Sequence, residues 1–265
     1  MRFSTWLTAL KQRWIKPVGQ AKIPEQQLNA WYRTELGEAL YRTECGVLAP
    51  MLSAGYHPFL VQIDGGLYRP LFDVRKTKNK VAAILARHDN RAVCPVIQSD
   101  PEHLALQASS VDMLILHHVM EYSENPHRIL REAVQALRPG GQLMIMGFNP
   151  FGFWGVSRIF RRHRPMPWAG QFISANRVAD WCRLLDCEPL NTQYYYHWPP
   201  MTQASWKRRV RFLNALIRNV LPIAGAGYLL VVRKNQLEML HDHRWSPALF
   251  MKDKVMTKRR GQVTQ

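Results

Sequence analysis

The sequence predicts an α/β fold built on a doubly wound, largely parallel sheet with helices on both faces and helical decoration before it. Three features lead there. Short apolar runs at 58–66, 93–98, 111–116 and 142–147 read as strands. The segment 125–137, between the last two, has helical spacing instead. The run 111–116 is almost continuously apolar, which suits a central parallel strand covered on both faces. Strand, helix, strand in that order winds a parallel sheet whose ligands sit beyond the carboxyl ends of the strands, here at Asp64, Asp100, His117 and Phe148.

Taken in order, Leu28, Trp31, Tyr32, Leu36, Leu40 and Leu48 recur mostly at three- and four-residue steps, predicting one or two helices with a single buried face. Residues 58–66 end in Gly65-Gly66, as a strand running into a tight turn would. Residues 67–95 carry a weaker signal, and Val81 to Ala86 fits strand or helix by periodicity alone. In 125–137, Pro126 is acceptable in a first turn and Pro139-Gly140-Gly141 stops the helix. Phe151, Trp154 and the basic Arg158, Arg161, Arg162 and Arg164 are expected to form a loop on the substrate side, suited to a lid.

Ser174 to Leu185 reads as a helix capped by Ser174, and 189–196 and 227–234 as the last strands. Between those strands, Trp206, Val210, Leu213, Ile217 and Leu221 form one apolar stripe with Lys207, Arg208, Arg211 and Arg218 mostly off it. Such a basic amphipathic helix either covers the sheet or lies on an anionic surface. The resulting division is an N-terminal helical segment over 1–57 packed on the core, a main domain over 58–235 that includes the 197–224 insertion, and a basic tail over 236–265.

Bulk properties bound the function. A chain of 265 residues with 47% hydrophobic and 21% charged residues is globular and large enough for one cofactor-sized core. Cys45, Cys94, Cys182 and Cys187 lack CxxC spacing, so neither a zinc site nor a disulfide framework is indicated, and a reducing cytoplasm is the expected location. The first sixteen residues lack an uninterrupted apolar stretch, unlike a signal peptide. The formal charge of +17 would steer the protein toward polyanions such as RNA, DNA or an acidic lipid surface. A solvated cationic surface is the simpler explanation.

The runs Asp100-Pro101-Glu102-His103-Leu104, Val111 to Tyr122, Ile129-Leu130-Arg131-Glu132 and Leu137-Arg138-Pro139-Gly140-Gly141 resemble, in order and spacing, the type-11 methyltransferase family. The aromatic-rich helix from Trp31 to Leu40 and Gly147-Phe148-Asn149-Pro150 resemble its YafS-like bacterial branch. The resemblance covers roughly residues 28 to 235 and implies a Rossmann-like class I methyltransferase sheet, S-adenosyl-L-methionine as cofactor, and a methyl acceptor, a small molecule, that the residues do not name. By position it implies cofactor contacts at Asp64, Gly65, Gly66, Asp100, Pro101, Leu116 and His117, with Asp100 toward the adenine and His117 and His118 facing the sulfonium. No metal is implied. The chain departs from the family in its glycine loop, where Asp64 takes the first position, and in having no carboxylate at a second strand end to take the ribose hydroxyls.

Methyl transfer from a sulfonium mainly requires alignment and exclusion of water. For an acceptor bearing a proton, a base helps, and His117 or His118 is the candidate by ordinary pKa. Either histidine could instead only pack. The competing class is a methyltransferase-like protein without turnover that binds RNA or an anionic membrane through its basic surface, while a nicotinamide oxidoreductase is disfavoured by the missing GxGxxG.

Overall fold

The computed structural model describes residues 25–53, 58–67, 69–73, 81–86, 96–160, 165–200 and 222–236. All but Gln236 lie in a compact unit spanning Met1–Asn235. The amphipathic stripe at 206–221, the first 24 residues and the tail beyond 236 fall outside the described residues.

Two helices come first, α1 (Glu25–Tyr32) and α2 (Glu35–Ser53). The strands β1 (Phe59–Asp64), β2 (Val81–Ala86), β3 (Val96–Gln98) and β4 (Val111–His117) come next, then α3 (Pro126–Ala136), β5 (Leu137–Phe148), α4 (Phe153–Phe160), α5 (Ala175–Leu184), β6 (Cys187–Tyr195) and β7 (Gly227–Lys234). They build one seven-stranded sheet in the order β3-β2-β1-β4-β5-β7-β6. This is the expected Rossmann-like doubly wound sheet, and Val81–Ala86, ambiguous by periodicity, is a strand paired in parallel with β1.

Pairing is parallel from β3 through β5 and antiparallel where β7 inserts between β5 and β6. The order of β1 and β4 reverses the winding of the chain, so their carboxyl ends border the crevice in which such sheets bind ligands.

Side-chain alternation sorts the core into two layers. On one face, Met113, Ile115, Met144, Met146, Leu229 and Val231 pack with Leu28, Tyr32, Leu36, Leu40 and Leu48 of α1 and α2. On the other, Leu114, Leu116, Leu143, Ile145, Leu230 and Val232 pack with the buried faces of α3 and α5. The N-terminal helices therefore form one of the sheet's two covering layers. Each fully buried leucine of α2 contributes about 1.5–3 kcal/mol relative to exposure.

Two local expectations change. The run 151–164 is not simply a loop: Phe153–Phe160 is helical, and Trp154 is fully buried, its Nε1–H donating to the Trp198 carbonyl at 3.0 Å. Alternating glycines and aromatics suit a lid, but the ring is held by Trp31, Phe148 and Trp168. The strand expected at 142–147 begins at Leu137, which pairs with Val111 directly after α3 ends. Arg138 to Gly141 form a local irregularity before pairing resumes at Gln142, and Gly140 takes a φ of 76° there. Ser174 caps α5 as expected, its side chain accepting from the Arg177 N–H.

Candidate functional site

The tip of β1 turns sharply. Asp64 Oδ1 accepts from the Gly66 N–H at 2.9 Å and from the Leu67 N–H at 2.7 Å, closing the turn with its own carboxylate. Gly65 lies so close to β4 that an added Cβ would stand 2.3 Å from the His118 carbonyl oxygen. Gly66 has a φ of 133°, a conformation costly for any side chain.

The N-terminal helices hold the chain just beyond this turn. Asn29 donates to the Leu67 carbonyl at 2.8 Å, and Tyr41 to the Pro70 carbonyl at 2.8 Å. The buried Gln62 amide donates to Arg69 O and accepts from the Leu71 N–H. Arg69 pairs with Glu38 at 2.8 Å and lies over the Tyr41 ring.

At the tip of β4, two adjacent histidines point to one place. Successive strand residues ordinarily face opposite sides, but His118 leaves the strand with a left-handed φ of 47°. Both rings reach the carboxylate of Glu44, which descends from α2: His117 Nε2 is 3.2 Å from Oε2 and His118 Nε2 is 3.0 Å from Oε1. The opposite ring nitrogens also meet carboxylates. His118 Nδ1 is 2.9 Å from Glu121 Oε1, and His117 Nδ1 is 3.5 Å from Asp64 Oδ1.

Tyr32 and Tyr195 close the cluster, with hydroxyls 3.4 Å and 3.3 Å from the Glu44 oxygens. Glu121 also accepts from the Phe148 N–H at 2.8 Å, and the His118 ring stacks on Phe148. Glu44, His117 and His118 are 0% exposed.

Burial alone would push the Glu44 carboxyl up, but the two imidazoles outweigh it and hold the group at about 2. For His117, burial works downward, and Glu44 and Asp64 overcome it to raise the imidazole to about 10. For His118, burial again opposes, and Glu121 and Glu44 raise it despite the neighbouring His117. Burial and the Glu44 charge push the Tyr32 and Tyr195 hydroxyls up.

The remaining residues implied by the resemblance are spread along the carboxyl ends. Asp100 is exposed just beyond β3, with Oδ1 accepting from the Glu102 N–H at 3.0 Å, and Pro101 is buried beside it. Two strand spacings, about 10 Å, separate β3 from β1. The Leu116 side chain lies in the core layer with α3 and α5. Asp64, Gly65, Gly66 and His117 thus meet at one point, while Asp100 stands apart.

Sequence reasoning alone does not single out Glu44 or Glu121. A signal for Glu44 exists: Leu36, Leu40, Glu44 and Leu48 recur every fourth residue, so a carboxylate interrupts an apolar stripe. Glu121 belongs to a short 3-10 turn after β4, where its carboxylate meets His118 Nδ1.

Comparison with known proteins agrees with the motifs. Residues 71–145 match the type-11 methyltransferase family model, described as Methyltransferase domain. Residues 71–145 thus resemble that methyltransferase family, and the sheet in which they lie is Rossmann-like. Among particular proteins, the chain is 33% identical over 145 residues to the uncharacterized protein YafS of Escherichia coli K12, covering 54% of this chain and 56% of that one. The match thus spans little more than half of its relative. A SAM-dependent methyltransferase from Thermotoga maritima superposes with a TM-score of 0.59 at 16% identity, over 81% of this chain and 97% of that one. The 4+2 cyclase SpnF superposes at 0.51 with 14% identity, over 77% and 84%. These likenesses show the fold, and a cyclase among them shows that the fold alone does not set the reaction.

Proposed function

We propose that the protein is an S-adenosyl-L-methionine-dependent methyltransferase acting on a small-molecule acceptor. The observation that carries it is the union of the match of residues 71–145 to the type-11 methyltransferase family with a side-chain-free turn at the β1 tip, beside the point where the sheet winding reverses.

The residues present fit the group. Gly65 and Gly66 offer backbone without side chains, Gly65 is only partly covered, and Asp100 is exposed beyond β3 for the adenine end. Asp64, Glu44 and Glu121 outnumber the two imidazoles between them, so the strand tips favour a cationic centre nearby. When bound, S-adenosyl-L-methionine supplies an activated methyl group. Pro101 and Leu116 would back the adjoining strand ends.

His117 and His118 take the position next to the transferred methyl. Their ring nitrogens face Glu44, Asp64 and Glu121, carboxylates that raise both imidazoles against the effect of burial, so accepting a proton would require parting from those carboxylates. The geometry favours a positioning role, in which the locked pair fixes the tip of β4 against the turn. Most of the residues behind the RNA or membrane alternative, 201–221 and 237–265, lie outside the described residues.

Calorimetry of the full chain with S-adenosylmethionine and S-adenosylhomocysteine tests the reading. Saturable one-to-one binding of either, weakened by Asp100→Ala, is expected. Failure of both to bind at millimolar concentration overturns it.

A further inference from the structure

We propose that Glu44, His117 and His118 form a binding site for a divalent transition-metal ion of the zinc class, joining α2 to the tip of β4. The site does not depend on the methyl-transfer reading.

The donor set comes first. One atom from each of the three residues lies within 4.8 Å of the others, and the Glu44 carboxylate is already 3.2 Å and 3.0 Å from the two Nε2 atoms. Donors around a tetrahedral zinc ion, bound at about 2.0–2.1 Å, stand about 3.4 Å apart. Small side-chain rotations would suffice. Two imidazoles with one carboxylate select a borderline ion over calcium or magnesium, which require oxygen-rich shells.

The surrounding groups are those that metal-bound histidines require. A ligating imidazole commonly donates its other N–H to a carboxylate, which fixes tautomer and ring orientation. His118 has this arrangement, its Nδ1 2.9 Å from Glu121 Oε1, and His117 Nδ1 lies 3.5 Å from Asp64 Oδ1 without hydrogen-bond geometry, so both Nε2 atoms are left aimed at Glu44. The convergence is not a by-product of strand geometry, since the left-handed φ of His118 brings its ring to the side of His117. Tyr32 and Tyr195 hydroxyls approach the same carboxylate and provide further oxygen atoms.

Charge permits the ion. Ligation requires both imidazoles to be neutral, and a dication would then carry the two positive charges that protonated imidazoles otherwise set against the buried Glu44, Asp64 and Glu121 carboxylates. It would also link residues 73 and 74 positions apart in the chain. The competing explanation is a hydrogen-bonded ion cluster holding only protons.

The test uses untagged, chelator-treated full chain with Co2+ as a spectroscopic probe. It is loaded in two ways: addition to folded protein, and refolding from denaturant with the ion present, because the cluster is enclosed. One equivalent of Co2+ giving a visible ligand-field band, displaced by Zn2+, is expected. Zn2+ at a hundredfold its dissociation constant should raise Tm by about 5 °C or more. Glu44→Gln should abolish the stoichiometric band, and Glu121→Gln should weaken binding about 10- to 100-fold without changing stoichiometry. Absence of both band and Tm shift in the wild-type chain by either route overturns the proposal, whatever the variants do. A band that survives unchanged in a folded Glu44→Gln protein overturns it too.

Discussion

Replacing Gly65 with alanine separates two reasons for a glycine at the β1 tip. One is clearance for a ligand, and the other is clearance for the protein's own β4. The added Cβ would stand 2.3 Å from the His118 carbonyl oxygen, 2.8 Å from its carbonyl carbon and 3.2 Å from Val119 Cα, where ordinary contacts do not fall below 3.0 Å. The two backbones must therefore part by at least ~0.7 Å. Neither is free to yield, since the Gly65 N–H donates to the His117 carbonyl at 3.0 Å and the His118 N–H to that of Met146 at 3.1 Å. Overpacking costs about 1–3 kcal/mol, and a backbone obstacle puts this case at the upper end or beyond. At about 2–4 °C per kcal/mol, Tm should fall by about 6–12 °C. Calorimetric melting and urea denaturation measure the loss, and titration with S-adenosylhomocysteine measures affinity separately. An unchanged Tm with lost affinity would refute the reasoning, because the glycine would then serve the ligand alone.

Other substitutions probe the layers around that turn. Gly46, inside α2, has no atom within 4 Å of a built Cβ, so Gly46→Ala should stabilise by about 0.5–1 kcal/mol, measured by urea unfolding; destabilisation would contradict the helix assignment. Trp154→Ala should cost about 3–5 kcal/mol in the same assay, whereas a change under about 1 kcal/mol would restore the expectation of a loosely held lid. Burial, with a smaller push from Cys187, raises the Cys182 thiol to about 12, and burial also raises the Cys187 thiol to about 11. Raising a thiol pKa lowers its thiolate fraction at a given pH, so at pH 8 both should alkylate at least about 100-fold more slowly than a free cysteine. In a Cys94→Ser protein, peptide mapping after iodoacetamide pulses would show this, and labelling of either site at free-thiol rates would argue against its burial.

The order of elements and the resemblance to the methyltransferase family are legible in the chain before any folding. Periodicity carries that information locally: near-continuous apolar character marks β4, Pro126 and the spacing after it mark α3, and Ser174 marks the start of α5. Asp64, Gly65, Gly66 and His117 are legible too, because turns and strand ends are written in adjacent residues. The surroundings of those residues come from the assembled fold. Glu44 is 73 positions from His117, and its meeting with both imidazoles depends on α2 docking over the strand tips. The direction of β7, between β5 and β6, is likewise invisible in the sequence, since strand periodicity is the same in either direction. Local pattern sets which face a side chain takes within its own element. Burial and charge at the site come from partners distant in the chain, and packing alone brings those together.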